Sequence, residues 1–269
     1  MGNGDQLSEQ GKRQLVQLFP YIKAWRERTS AESSRPEPGS LLAKDDQLTD
    51  PYCISHAAIG ALVSAVDHMD ALRTLVEDAQ VVHARAPLTL LRGSLENAAV
   101  AVWLLAPENR KERVRRRLRW QWEDEKYGVD AAKLIGQSPG LTLEERQAKI
   151  ARVARACGLD DVEVDRLFKK GKGVSFGWVV KTAGDETRGG PGGETAKFVW
   201  MGASGIAHVQ NWAVLSLLER VEVSTPSEGV VGLHLSVSDN FLYLSWVAAA
   251  AMIAEGWRLL DERGRNHRG

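Results

Sequence analysis

A helix without a polar face is predicted for the residues from Ala86 to Ala106, because apolar side chains surround its axis on every side. Arg92, Glu96 and Trp103 nevertheless lie within about 40° of one another on this helix. Burying an unpaired ion costs several kcal/mol. We therefore expect the two charges to be buried and to meet partners on other helices or a ligand.

Two further segments, at roughly 197–220 and 240–262, are apolar all round in the same way. A helix of this kind must be covered by others, so the sequence predicts an all-α protein, a multi-helix bundle around three buried helices. Alternating β-branched residues interrupted by a turn predict at most one small β-hairpin, near 221–237.

The predicted organisation is a helical bundle domain over 50–264 with appendages at both ends. An amphipathic outer helix is expected over 1–31, bent or broken at Pro20. A polar, proline-containing flexible linker is expected over 32–49, and a frayed tail over 265–269.

The glycine-rich segment 183–196 does not match a phosphate-binding loop, because no strand precedes it and no Gly-Lys-Ser/Thr follows. We interpret it as a mobile surface loop, with a lid as the alternative.

The chain carries 35 acidic residues and 35 Lys and Arg, so its net charge is zero and no global field attracts nucleic acid or an anionic membrane. Its start lacks the apolar core of a signal peptide, and the two cysteines, Cys53 and Cys157, fit a reducing compartment. The apolar run 198–218 would span a bilayer, but its polar and small residues favour a buried helix. We expect a cytoplasmic protein that does not enter the membrane.

No metal or cofactor is expected. The segment DDQLTD at 45–50 resembles an aspartate-rich metal box, but it lies beside the predicted linker and is interpreted as a solvated turn. The Glu-x-x-His pair of a di-iron bundle is absent from the helix that follows Asp50. His56 and Asp67 on that helix belong either to its solvent face or to a cleft.

Nucleic-acid binding is a weaker alternative. Seven of the ten residues from Arg110 to Arg119 are basic, and Trp120 and Trp122 follow them, as in some nucleic-acid surfaces. Neighbouring acids cancel much of this charge, which is the pattern of an ordinary solvated helix face. Residues 152–173 match a helix-turn-helix in part, but acids on its second helix favour a plain helical hairpin.

Two motifs, Arg92-x-x-x-Glu96 and Ser204-x-x-x-His208, support a family resemblance. With the segments around them, over roughly 50–218, they resemble a family of all-helical bacterial proteins that is distantly similar to HEPN-type bundles. The resemblance implies a bundle and singles out these four residues, but it carries no established activity. The ribonuclease members of the HEPN group have an Arg and a His separated by four to six intervening residues, and no histidine here has that spacing.

The resulting hypothesis is a partly polar cavity inside the bundle. Arg92 would hold a carboxylate or phosphate through its planar fork, and His208 would move a proton, oriented by Glu96 or Asn211. The competing interpretation is a buried structural network that ties helices together. The candidate catalytic residues are His208 and Glu96, and the candidate ligand-binding residues are Arg92, Trp103, Ser204, Asn211 and Trp212.

Two classes of function stay open. One is a protein that binds a small, anionic organic ligand and acts on it by acid/base chemistry or only holds it. The other is a non-catalytic, HEPN-like interaction or defence module, with RNA binding through 110–119 as a weaker option. Association of identical copies is open in both.

Overall fold

The computed structural model describes residues 7–29, 35–169 and 174–266. Within them the chain is helical apart from one hairpin. The first elements are α1 (Glu9–Val16), α2 (Phe19–Thr29), α3 (Leu41–Thr49), α4 (Ile54–Glu77), α5 (Ala86–Leu105), α6 (Arg110–Leu134) and α7 (Leu143–Ala156). They are followed by α8 (Asp161–Phe168), α9 (Phe176–Glu186), α10 (Gly193–Ala207), α11 (Asn211–Leu217), β1 (Leu218–Ser227), β2 (Val230–Val237) and α12 (Asp239–Gly264). The predicted segments 1–31, 32–49 and 265–269 each extend beyond the described residues.

The all-α bundle with a small hairpin is confirmed, and α5 is its centre. Helices α4, α6, α9, α10 and α12 pack around α5, and its side chains from Ala98 to Leu105 are all buried. By length and composition α5 could cross a membrane, but 67% of its most apolar window is buried inside the bundle. Burial of apolar area on all sides of α5 is the main contribution to the stability of the bundle.

Arginines from two other helices satisfy the carbonyl groups at the end of α5. Arg263 donates to the carbonyl oxygens of Leu105 and Ala106 over 2.5 and 2.9 Å. Arg113 donates to the carbonyl oxygen of Pro107 over 2.8 Å. The last carbonyls of a helix lack intrahelical partners and carry partial negative charge, so these contacts fix α6 and α12 against the end of α5.

The helix predicted over 197–220 is interrupted and lies at the surface of the bundle. α10 ends at Ala207, and Val209 takes a left-handed φ of 56° before α11 begins. A β-branched residue rarely adopts this conformation, and it breaks the helix here. Phe198, Met201 and Trp212 are exposed. Apolar composition alone therefore overestimates the burial of this segment.

The linker predicted over 32–49 contains a helix, α3, and the solvated turn predicted at 45–50 is wrong. The side chain of Asp45 is 0% exposed. Arg113 Nη2 lies 2.6 Å from Asp45 Oδ2, and Arg110 Nε donates to Asp45 Oδ1 over 2.9 Å. The carboxylate is buried because two guanidinium groups of α6 neutralise it.

The N-terminal segment forms two helices, as expected from its proline. Pro20 is the second residue of α2, in the first turn, where the missing N–H has no consequence. Ser238 is the N-cap residue of α12, and Asp239 is the first residue of the helix. Asp239 accepts a hydrogen bond from the backbone N–H of Ser8 over 3.1 Å.

The segment predicted as a mobile loop over 183–196 is mostly helical. α9 continues to Glu186 and α10 begins at Gly193, so only 187–192 connects them. A Cβ on Gly184 would lie 2.9 Å from Ala196 Cβ, and one on Gly193 would clash with the Lys181 carbonyl. The glycines therefore allow close contact between the two helices rather than the motion of a lid.

The hairpin predicted near 221–237 is confirmed and begins three residues earlier, at Leu218. β1 and β2 pair antiparallel as a two-stranded sheet, and Gly229 adopts a φ of 77° in the turn. The β1 residues from Glu219 to Ser224 are all exposed, whereas those of β2 from His234 to Ser236 are half-buried. β1 is therefore the outer strand.

Helices α7 and α8 form the plain helical hairpin that the acidic residues favour. Thr142 and Glu145 make a capping box at the start of α7, and Asp160 and Glu163 make a second one at α8. The end of α8 packs against α6, where Arg119 donates to the carbonyl oxygen of Arg166 over 3.0 Å. This contact positions one wall of the cavity described next.

Candidate anion-binding site

Three of the predicted site residues are brought together at the contact of α5 with α10. Arg92 Nε donates to Glu96 Oε1 over 2.9 Å, and Trp200 Nε1 donates to the same oxygen over 2.6 Å. His208 Nε2 lies 3.4 Å from Arg92 Nη1. The sequence did not single out Trp200. The group links the two helices through one carboxylate oxygen.

The environment of this group is half-buried. The side chains of Arg92 and Glu96 are 25% and 14% exposed, and His208 is exposed at the end of α10. Ser204, one turn before His208, is half-buried, and its carbonyl oxygen accepts the His208 N–H over 3.0 Å. The charges are thus neither in bulk water nor enclosed without a partner.

The other predicted residues lie elsewhere. Trp103 is about 16 Å further along α5 than Arg92, at 1.5 Å per residue. Asn211 and Trp212 are exposed at the start of α11, and Trp212 Nε1 donates to Gln210 Oε1 over 2.9 Å. The seven residues therefore do not line a common cavity.

Trp103 instead lines a cavity of about 550 Å³ formed by α5, α6, the end of α8 and the start of α9. We call it the cationic cavity. Its charged lining residues are Glu112, Arg115, Arg116, Arg119, Arg166 and Lys169. Its apolar lining residues are Trp103, Leu167, Val174 and Trp178.

Some of the cations are fixed by partners at the rim. Arg115 makes two hydrogen bonds to Glu112, of 2.7 and 2.8 Å. Arg116 bonds to Glu112 at 2.9 Å and to both carboxylate oxygens of Glu186 at 3.1 and 3.0 Å. Burial lowers the pKa of Arg119, although an arginine remains charged near neutral pH. These guanidinium groups are held rigidly by their bonds.

Arg166 and Lys169 differ from the other cations. Both are exposed at the end of α8, and within 7–29, 35–169 and 174–266 neither forms an ion pair with an acid. The cavity lining has five cations against the single carboxylate of Glu112. A cavity with this balance attracts anions.

Two tryptophan rings, those of Trp103 and Trp178, also line the cavity. The Trp103 ring meets the Trp178 ring edge-on at a centroid distance of 5.7 Å and the Trp120 ring at 6.3 Å. Trp103 is 2% exposed, and its Nε1–H has no hydrogen-bond partner among the described residues. Arg116 Cζ lies 5.4 Å from the Trp103 ring centroid. The cavity therefore presents flat apolar surface beside positive charge.

From the sequence, the basic run at 110–119 is interpreted as a nucleic-acid-binding surface or as a solvated helix face. Arg113 and Arg117 of that run are buried, and Arg110 pairs with Asp45. The run is therefore no continuous solvent-facing stripe. The tryptophans that line the cavity, Trp103 and Trp178, lie outside this run, so no local pattern in the sequence connects them with its arginines.

No protein-family model, curated protein or solved structure matches this chain. The function is therefore argued from the geometry of the cavity.

Proposed function

We propose that the protein binds a small organic anion with a flat apolar group in the cationic cavity. The observation that carries this proposal is that Arg166 and Lys169, two cations without an acidic partner among the described residues, line the same cavity as Trp103 and Trp178. An anionic head would bind the cations and a flat body would pack against the rings.

The size and chemistry of the cavity support this ligand class. Small-molecule sites are typically about 300–1,000 Å³, apolar in most of their lining, and orient the ligand with a few polar groups. The cavity has that volume, about 550 Å³, but its lining combines four apolar residues with six charged ones, which suits a ligand that is itself charged at one end. The unpartnered Trp103 Nε1–H is a further donor that an oxygen of the ligand would satisfy.

Binding, rather than catalysis, is the activity proposed. The carboxylate in the lining, Glu112, is engaged by Arg115 and Arg116. The predicted acid/base pair, Glu96 and His208, does not belong to the lining. For Arg92, Glu96 and Trp200 we propose the structural role of joining α5 to α10.

The test is a calorimetric titration with naphthalenesulfonate, with uncharged naphthalenemethanol as the matched probe. We expect the sulfonate to bind, the alcohol to bind more weakly, and the double variant R166Q/K169Q to lose affinity about tenfold, since each lost charged contact is worth about 1.5 kcal/mol or less when exposed. R152Q, an exposed arginine on α7, is the control and should bind as the parent does. Equal affinity for the two probes, or unchanged affinity in R166Q/K169Q, would contradict the proposal.

A second candidate function, a non-catalytic interaction module, is favoured by exposed apolar surface. A two-stranded sheet is marginally stable alone, and exposed strand edges invite pairing. The large apolar side chains exposed between residues 198 and 233 are Phe198, Met201, Val209, Trp212, Leu215, Val221, Val223, Val230, Val231 and Leu233.

For this candidate the proposed partner is a second copy of the chain, paired antiparallel along the outer edge of β1. With a two-fold axis at Val221, Arg220 of each copy would lie opposite Glu222 of the other copy. The symmetry would therefore form two identical ion pairs between the copies. Within the hairpin these two residues lie opposite Leu235 and Leu233.

Charge reversal tests this pairing. By light scattering after gel filtration, we expect R220E and E222R to weaken the dimer and the double variant R220E/E222R to restore it. A monomeric parent protein, or a double variant no better than the singles, would exclude pairing through β1.

We also propose a cytoplasmic location. The free thiols of Cys53 and Cys157 support it, because such thiols persist in a reducing compartment.

A further inference from the structure

Arg117 on α6 is a buried cation that has no acidic partner among the described residues. Its residue is 8% exposed. Nε donates to the Cys53 carbonyl oxygen over 3.2 Å, and Nη2 donates to Gln121 Oε1 over 2.8 Å. Nη1 is buried and has no hydrogen-bond partner among the described residues, where no carboxylate pairs with this guanidinium.

The other two buried arginines, Arg113 and Arg263, have no such unpartnered nitrogen among the described residues. Arg113 is paired with Asp45, and Arg263 donates to two carbonyl oxygens at the end of α5. A buried guanidinium with unmade N–H bonds is costly. Burial lowers the pKa of Arg117, in keeping with an environment that disfavours its charge. An anion beside Nη1 would remove this cost.

Space for such an anion exists next to Arg117. An open cavity of about 270 Å³ lies between α4, α5 and α6, and we call it the Arg117 cavity. His56 and Gly60 of α4 line it together with Asn97 of α5. The sequence did not decide whether His56 and Asp67 face solvent or a cleft. His56 lines this cavity, and Asp67 does not.

We propose that the Arg117 cavity binds a small oxyanion, a carboxylate or a phosphate group, through Nη1 of Arg117. Because Nε and Nη2 already donate to Cys53 and Gln121, the N–H groups of Nη1 are the donors for the oxygens of the ligand. His56 and the side-chain amide groups of Asn97 and Gln121 are further polar groups in the lining. Asp124, exposed in the same lining, favours a ligand whose other end is neutral or cationic.

This site is separate from the cationic cavity and goes beyond the proposed function. Trp120 lies between them: it lines the Arg117 cavity, and its ring packs edge-on against Trp103 and Phe176 at centroid distances of 6.3 and 5.8 Å. Arg166 and Lys169 contribute only to the lining of the cationic cavity. Variants can therefore remove either site and leave the other.

The experiment is thermal unfolding of the full chain in sodium phosphate, in sodium acetate and in sodium chloride at matched ionic strength. We expect phosphate or acetate to raise Tm above its value in chloride by about 2–5 °C at roughly tenfold the Kd. The arm that shows the rise identifies the oxyanion. The same Tm in all three salts would overturn the proposal.

Two variants locate the effect. R117M removes the guanidinium, and G60L fills the cavity from a position where an added Cβ meets no atom within 4 Å. Both should lose the anion-dependent rise, and G60L keeps the test valid if R117M does not fold. R166Q should retain the rise, which separates this site from the cationic cavity. A rise that persists in G60L or in folded R117M would overturn the proposal.

Discussion

Trp200 on α10 donates its indole N–H to Glu96 Oε1 on α5 over 2.6 Å, although 104 residues separate the two along the chain. Arg92 donates to the same oxygen, so one half-buried carboxylate joins the helices. We expect E96A and W200F each to lower the free energy of unfolding by about 1–3 kcal/mol. Urea unfolding of both single variants and the double variant should give a coupling energy of about 0.5–3 kcal/mol. Strictly additive effects would show that the contact does not stabilise the fold.

The buried pair of Asp45 with Arg113 should be among the most sensitive positions in the bundle. D45N leaves the fully buried Arg113 without its counter-charge, so a loss of about 3–5 kcal/mol in unfolding free energy is expected. The matched control is D130N, whose exposed pair with Lys133 should contribute about 0–1 kcal/mol. Denaturant titration of both variants distinguishes them. Similar small losses in the two would contradict the burial of Asp45.

The contact between α9 and α10 predicts a steric effect at Gly193. A methyl group there would clash with the Lys181 carbonyl and the Asp185 carboxylate, so G193A should destabilise the protein by about 1–3 kcal/mol. G128A is the control, because nothing lies within 4 Å of an added Cβ in the middle of α6, and it should gain up to about 1 kcal/mol. If G193A is as stable as the parent, the segment is the open loop that the sequence suggests.

Stability should fall in acid. The hydrogen bond from Lys181 lowers the pKa of Asp185, and that from Arg258 lowers the pKa of Glu262. A carboxyl group with a lowered folded-state pKa contributes stability above its unfolded pKa of about 4, and the contribution is lost as pH falls through the folded value. Urea midpoints measured from about pH 5 to about pH 2 should therefore decrease, and less steeply in K181Q. If the urea midpoint depends on pH equally in K181Q and the parent protein, Asp185 does not contribute to the acid dependence of stability.

Local patterns in the sequence were sufficient to predict the elements α5, α12 and the hairpin. α5 and α12 are apolar all round and buried, and the hairpin follows from strand alternation around a turn. The apolar segment 197–220 gave the wrong burial, because exposure depends on which neighbours cover a helix. Its composition does not contain that information.

Of the residues predicted for the site, only Trp103 lines the cationic cavity, and contacts between residues far apart in the chain were not predictable from local patterns. Asp45 was interpreted as solvated because Arg110 and Arg113, which bury it, lie 65 and 68 residues away. Arg92 and Glu96 were correctly expected to have partners, and Trp200 is one of them. Periodicity identifies a charged residue on an apolar helix, but it does not identify the side chain that pairs with that charge.

The central claim, that the cationic cavity holds an organic anion against its tryptophan wall, is tested most directly by locating a bound ligand. Crystals soaked with bromonaphthalenesulfonate would give an anomalous signal from the bromine. The account predicts a bromine peak beside Trp103 and Trp178, with the sulfonate group towards Arg166 and Lys169. A bound ligand found only at other sites, or a cavity that stays empty at saturating ligand, would contradict it.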